Sequence, residues 1–143
     1  QGALLATPLH VAMFTAAIAA GGAVWQPRLD AKEAPRMMNR ITTPAAAATV
    51  AALMREAVAA GTGRGADIPG AEVCGKTGTA EAPGGEDHAW FTCFAPQRKP
   101  RLVVTVIVER GGFGAAAAIP VARGILEEAA RLGLLAPQEA GER

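Results

Sequence analysis

No serine and no tyrosine occur anywhere in the 143 residues. The first absence excludes every serine-nucleophile mechanism for this polypeptide acting alone. The second leaves an aromatic fraction of 4%, too thin for a base-stacking platform. Charge of one sign is not in surplus either. Lys plus Arg is 14 and Asp plus Glu is 13, a net charge of +1, so there is no basic field for nucleic acid and no acidic tail. Two cysteines, Cys74 and Cys93, are too few for a disulfide scaffold and lack the spacing of a zinc site. They read as small buried hydrophobes, able to approach each other only if their two strands pair. No long hydrophobic run is present. The most apolar stretch, residues 9–24, is mainly Ala and Gly, is interrupted by His10, and has no charged segment before it as a signal peptide needs. If the domain works outside the cytoplasm, its export signal lies elsewhere.

What is there suits a single packed domain. Half of the residues are hydrophobic and 19% are charged, which supports a core and argues against global disorder. Thr7-Pro8 is an N-cap followed by proline at the first helical position, Val11, Phe14 and Ile18 recur at helical spacing, and Gly21-Gly22 is the stop. Nearly every other position there is small or apolar, so this helix is expected to be covered on most sides. Residues 23–43 read as an irregular connection with a short extended piece around Val24-Trp25, broken by Pro27 and Pro35. Thr43-Pro44 repeats the start signal, and Val50, Leu53, Met54, Ala57 and Val58 form one helix face up to Gly61.

Three strand candidates follow: 71–80, 88–95 and 101–110, separated by turns at Pro83-Gly84-Gly85 and residues 96–100. The last is apolar on both alternating sets, Leu102, Val104, Val106 and Val108 on one and Val103 and Ile107 on the other. Helices are therefore expected above and below this sheet. A closing helix over about 119–132 would turn Val121, Ile125, Ala129 and Leu132 inward and Arg123, Glu127, Glu128 and Arg131 outward, with Glu127 and Arg131 as an i, i+4 pair. The tail beyond residue 135 is expected to fray. Two helices, a three-strand antiparallel meander and a closing helix make an α+β fold.

Residues Gly70 to Thr77, G-A-E-V-C-G-K-T, match the phosphate-loop pattern G-x-x-x-x-G-K-[ST]. That loop needs a helix immediately after it to cradle phosphate, and Gly78-Thr79-Ala80-Glu81-Ala82-Pro83-Gly84 cannot open a long one. A few residues on, Lys76-Thr77-Gly78-Thr79 resembles the K-T-G-T box of penicillin-binding proteins. Taken alone, the box could be an ordinary exposed strand with a solvated lysine. The flanks resemble the same family. Gln1-Gly2 with Thr7-Pro8-Leu9 is similar to its Q-G-x-x-x-x-T-P-L segment, and Gly61-Thr62-Gly63 to the G-T-x-x-A loop before the lysine strand. Asp87 to Phe91 with Phe94-Ala95-Pro96, Val106 to Gly112, and Ala118 to Ala122 resemble the later strands and the opening of the closing helix. The likeness is to class B, elongation-type transpeptidases, and to the C-terminal half of their catalytic domain, over residues 1–135.

The resemblance implies a partial penicillin-binding-protein or serine β-lactamase-like fold. It implies a share in a peptidoglycan D,D-transpeptidase that binds penicillin and cross-links stem peptides, with no cofactor and no metal. The S-x-x-K and S-x-N boxes would lie in a missing N-terminal half, so this chain alone would be inactive. By the same resemblance Lys76 and Thr79 are catalytic, and Thr77, Gly78 and Thr79 bind substrate. Lys76 would set a positive charge beside the S-x-N serine and the substrate carboxylate, and the Thr79 amide would give one of two oxyanion donors. The setting implied is extracytoplasmic, with the parent anchored to the inner membrane by an upstream segment. An alternative is a stand-alone, non-catalytic peptide- or protein-binding module on the same fold. Half a domain exposes strand edges and apolar surface, so the isolated chain is expected to self-associate. His10 reads as a helix-surface residue, and His88 as a turn-end histidine bonded locally beside Asp87. Trp90, Phe91 and Phe94 read as core, and Arg98, Lys99 and Arg101 as a solvated basic turn.

Overall fold

Strong start signals open the chain's first two helices where the sequence places them. The computed structural model describes residues 4–136. The element order is α1 (Pro8–Ala19), β1 (Ala23–Trp25), β2 (Met37–Arg40), α2 (Pro44–Ala59), β3 (Cys74–Ala80), β4 (His88–Ala95), β5 (Leu102–Val108) and α3 (Gly114–Arg131), with a single 3-10 turn at Arg64–Ala66. Thr7 caps α1 by accepting the His10 N–H at 3.2 Å, while His10 Nδ1 accepts the Thr7 N–H, so an exposed histidine plays the part usually taken by Glu in a capping box. Thr43 caps α2 through the Ala46 N–H at 3.2 Å. Gly21 and Gly22, at φ +64 and +94, turn the chain out of α1. Gln1-Gly2, and all but Ala136 of the expected frayed tail, lie outside the described residues.

The main sheet is antiparallel in the order β3-β4-β5, with Phe91 opposite Thr77 on one side and Val106 on the other. Side chains alternate across it. Ala89, Phe91, Cys93 and Ala95 pack with Val104, Val106 and α3, whereas Phe94 and Cys74 face Ala51 and Met54 of α2. The doubly apolar β5 is indeed covered twice, by α3 on one face and α1 on the other. On the α1 side three threonines form a chain across elements. Thr15 lies 2.8 Å from Thr92, and Thr92 lies 2.7 Å from Thr105, hydroxyl to hydroxyl.

Several expectations need correction. Residues 23–43 contain a second sheet, β1 paired antiparallel with β2, which the prolines disguised. Helix α1 is not covered on most sides: Leu9 is 57% and Phe14 58% exposed, and the buried pair is Thr15 and Ala17. Helix α2 buries Ala47, Ala51, Met54 and Val58 and leaves Leu53 at 64% exposure. Helix α3 starts at Gly114, five residues before the expected start, carries Pro120 inside it, and buries Gly114, Ala118, Ile119, Ala122, Leu126 and Ala129. Val121, Ile125 and Leu132, expected inside, stay exposed and border an apolar groove of about 540 Å³ with Leu102 and Leu134. The physical reason is shared: a helix can approach a sheet or another helix closely on its alanines and glycines, so its buried face is the small one with a few large knobs. The ion pairs on α3 are Arg123–Glu127 at 2.7 Å and Arg131–Glu128 at 2.5 Å, not Glu127–Arg131.

The two cysteines sit on paired strands yet remain free. Cys74 is opposite Phe94 and Cys93 opposite Gly75, one register step apart, so their side chains point to opposite faces. Burial pushes the Cys74 thiol up to about 11 and the Cys93 thiol up to about 12. Both are therefore protonated at neutral pH in the folded chain. Because their folded values lie above the ordinary 9.0, their contribution to stability is complete below pH 9 and is lost as pH rises toward 11–12. A thiol reagent at pH 7.5 should label neither cysteine in the native chain and both in denaturant. Urea midpoints should fall above pH 9, and less steeply in the Cys74→Ala, Cys93→Ala double variant.

Candidate functional site

Strand β3 is an edge: it pairs with β4 and with no other strand among the described residues. Lys76, Thr77, Gly78 and Thr79 occupy its middle, opposite Thr92, Phe91, Trp90 and Ala89. Alternation puts Thr77 and Thr79 on the α3 side and Lys76 on the other. Lys76 is exposed, and its Nζ donates to the Thr77 carbonyl at 2.9 Å, a light tether on a charge that stays in water. The segment from Gly70 to Thr77 enters this strand directly, with no helix behind it, so the phosphate-loop reading fails on structure.

The strand is held in place by parts of the chain far from it. From α2, Arg55 grips Asp67 with both terminal guanidinium nitrogens, at 2.9 and 3.2 Å, and donates at 2.7 Å to the Val73 carbonyl where β3 begins. The carboxylate raises the Arg55 pKa above its already high value, through the hydrogen bond first. From α3, Arg123 donates to the carbonyls of Gly65 at 3.0 Å and Asp67 at 3.3 Å. Two helices thus clamp the loop between α2 and β3. In that loop the Thr62 hydroxyl lies 2.8 Å from the Thr77 hydroxyl.

The N-terminus of α3 presses on the same place. At the Gly78–Trp90 pair Gly78 has no side chain and that of Trp90 points away from α3, leaving bare backbone, and Gly114 sits directly on it. A Cβ at Gly114 would lie 2.3 Å from the Trp90 carbonyl oxygen and 2.6 Å from that of Gly78. At the far end of the sheet, His88 Nδ1 accepts the Arg110 N–H at 3.0 Å and Gly112 N–H donates to the Asp87 carbonyl at 2.8 Å. His88 therefore stitches two turns together. The expected local bond beside Asp87 is replaced by this longer reach to Arg110. Phe91 and Phe94 are fully buried, while Trp90 is half-buried and lines a trough of about 920 Å³ with Leu5, Val11, Ala80, His88 and Ile107.

The four predicted site residues are thus adjacent on one open strand, and neither histidine joins them. The residues missed were Arg55, Arg123 and Gly114. The first two carry no pattern at a distance of many residues, and Gly114 was hidden by placing the helix start at 119. Thr62 was visible only as part of a loop. Among the described residues there is no group of three His, Cys, Asp or Glu able to hold a metal, and no helix long and apolar enough to cross a membrane.

The chain is similar in sequence and fold to known proteins. The profile of the penicillin binding protein transpeptidase domain matches residues 1–127. The peptidoglycan D,D-transpeptidase MrdA of Haemophilus influenzae is 38% identical over 156 residues, covering 89% of this chain and 24% of that protein. The peptidoglycan D,D-transpeptidase PbpA of Mycobacterium tuberculosis is 37% identical over 145 residues, covering 86% of this chain and 29% of the relative. The chain thus spans about a quarter of the length of these relatives. Among solved structures, penicillin-binding protein A of M. tuberculosis, as its imipenem acyl-enzyme complex, aligns with a TM-score of 0.82 at 35% identity, over 91% of this chain and 32% of the other. The penicillin-binding protein PBP2 of Helicobacter pylori aligns with a TM-score of 0.83 at 27% identity, over 93% and 26%.

Two glycines of α3 separate steric need from helix propensity. Gly114→Ala should cost about 1–3 kcal/mol or more in urea unfolding, because its methyl meets backbone that cannot rotate aside. Gly124→Ala, with nothing within 4 Å, should stabilise by about 0.5–1 kcal/mol.

Proposed function

The chain belongs to the penicillin binding protein transpeptidase domain family, and on that premise we propose that residues 1–135 are the C-terminal part of the catalytic domain of a class B peptidoglycan D,D-transpeptidase. One observation carries this reading: the K-T-G-T box lies on an open strand edge that both flanking helices hold rigid. An edge strand is where an extended peptide can lie alongside, and Gly78 lets that backbone come close.

The reaction is acyl transfer. A serine on another part of the polypeptide attacks the carbonyl of the stem-peptide donor, the peptide C–N bond breaks, and the leaving amine takes the proton. A second amine then attacks the acyl-enzyme and restores the serine. In a β-lactam the C–N bond that breaks is in the ring, and no leaving group departs. The residues of β3 serve this without themselves bonding to substrate covalently. Lys76 sets its ammonium beside the S-x-N serine and the substrate carboxylate. Its tether to the Thr77 carbonyl is neutral and exposed, so it can be exchanged for a charged partner at little cost. Thr77 and Thr79, two apart on one face, present both hydroxyls to one carboxylate. The Thr79 N–H is one of two oxyanion donors, a contribution of about 3–4 kcal/mol to the transition state. The chain contains no serine and is inactive by itself.

The setting that follows is the extracytoplasmic side of the membrane, with the anchor and the nucleophile-bearing half upstream. The partners are stem peptide or β-lactam in the complete domain. By itself the chain self-associates, through the open edges of β3 and β5 or the exposed apolar residues of α1 and α3.

Membranes labelled with a fluorescent penicillin and probed with antibody to this chain should give a labelled band several times larger than 14.5 kDa. In that protein Lys76→Ala should slow labelling about ten- to a hundredfold, the loss of a charge-assisted contact. An unlabelled band at 14.5 kDa would instead favour the non-catalytic binding module. Sedimentation of the isolated chain should find dimers or larger species; a monomer at every concentration would count against self-association.

A further inference from the structure

The hydroxyl pair Thr62–Thr77 has a directional consequence. A threonine hydroxyl holds one proton and can accept twice, whereas a carboxylate only accepts. If Thr77 spends its proton on Thr62, it has none to offer a bound carboxylate. With a carboxylate on Thr77, the 2.8 Å contact can persist only with Thr62 as donor and Thr77 as acceptor. A hydroxyl that accepts one hydrogen bond becomes a better donor of the next.

Thr62 is held for such a task. Its loop is bounded by the Gly63 N–H to Ala57 carbonyl bond at 2.9 Å and the Ala66 N–H to Gly63 carbonyl bond at 2.9 Å. Arg55 and Arg123 clamp the loop from two helices. A Cβ at Gly65 would lie 2.8 Å from Ile119 Cγ2, so the loop is seated closely on α3. The position of Thr62 is therefore decided by the fold before any ligand arrives.

We propose that Thr62 is a positioning residue for carboxylate recognition: it donates its proton to Thr77 Oγ1 and so aims the Thr77 proton outward, at the carboxylate of the substrate or β-lactam. Thr62 touches no substrate and acts only through Thr77. The inference rests on the transpeptidase reading for the identity of the ligand, while the hydroxyl pair itself is read directly from this chain.

The test compares acylation of the full-length transpeptidase carrying this segment by benzylpenicillin and by its methyl ester. The preference for the free acid over the ester is the readout. Thr62→Val should lower that preference about five- to tenfold, the scale of one hydrogen bond, and Thr62→Ser should restore it. Thr77→Val should lower it at least as far. A Thr62→Val enzyme with its preference intact, whether acylation is unaffected or slowed alike for both compounds, overturns the proposal. If Thr77→Val also leaves the preference intact, the carboxylate role of Thr77 falls first and takes the proposal with it. In the isolated chain, Thr62→Val should shift the Thr77 methyl and amide resonances and Thr62→Ser should leave them near their original positions. Unmoved Thr77 resonances in Thr62→Val would overturn the hydroxyl pair directly.

Discussion

Strand β4 is bonded along both edges and packed on both faces, and the other elements take their places from it. Phe91 and Cys93 meet α3 on one side, while Phe94 meets α2 and Thr92 meets α1 on the other. Losing Phe91 would remove a fully buried ring from the centre of the larger cluster, a change of about 3–5 kcal/mol against a total stability of about 5–15. Because β4 is fixed so firmly, β3 can be an edge without drifting. A site strand needs that combination: one side permanently bonded, the other free to receive a ligand.

The outline of the fold was legible because its punctuation is strong. Thr7-Pro8, Thr43-Pro44 and the glycine stops mark helix ends by local chemistry, and β4 begins and ends at the expected residues. The helix faces were not legible, for a physical reason. In α3 the large residues Val121, Ile125 and Leu132 mimic an inner stripe, yet the sheet receives Ala118, Ala122 and Leu126. Small alanines and larger apolar residues share the surface of α3, and the fit of shapes, not hydrophobicity alone, chooses the buried face. Strand β2 hid for a similar reason: its four residues are all exposed, so burial writes no alternation into them.

The site divided in the same way. Lys76, Thr77, Gly78 and Thr79 are contiguous and carry a recognisable box. What holds them comes from Arg55 on α2, Arg123 and Gly114 on α3, and Asp67 in the loop between α2 and β3. Those residues act through carbonyl oxygens and bare backbone, features that every residue shares and no motif records. Arg55 and Asp67 are partly exposed, at 24% and 40%, so their value lies in geometry more than in energy.

The chain of threonines on the opposite face has a mechanical meaning. Thr15 gives its proton to the Val11 carbonyl at 2.9 Å, which leaves it to accept from Thr92, and Thr92 in turn lies 2.7 Å from the Thr105 hydroxyl and 3.5 Å from the Val104 carbonyl. Helix α1 otherwise packs through apolar side chains such as Ala17, Ile18 and Ala19, contacts with little directional preference. The hydroxyl row acts as a detent. A shift by one turn, about 5.4 Å, would break the Thr15–Thr92 link that joins the helix to the row. The hydroxyl row therefore favours one axial setting of the helix over its neighbours.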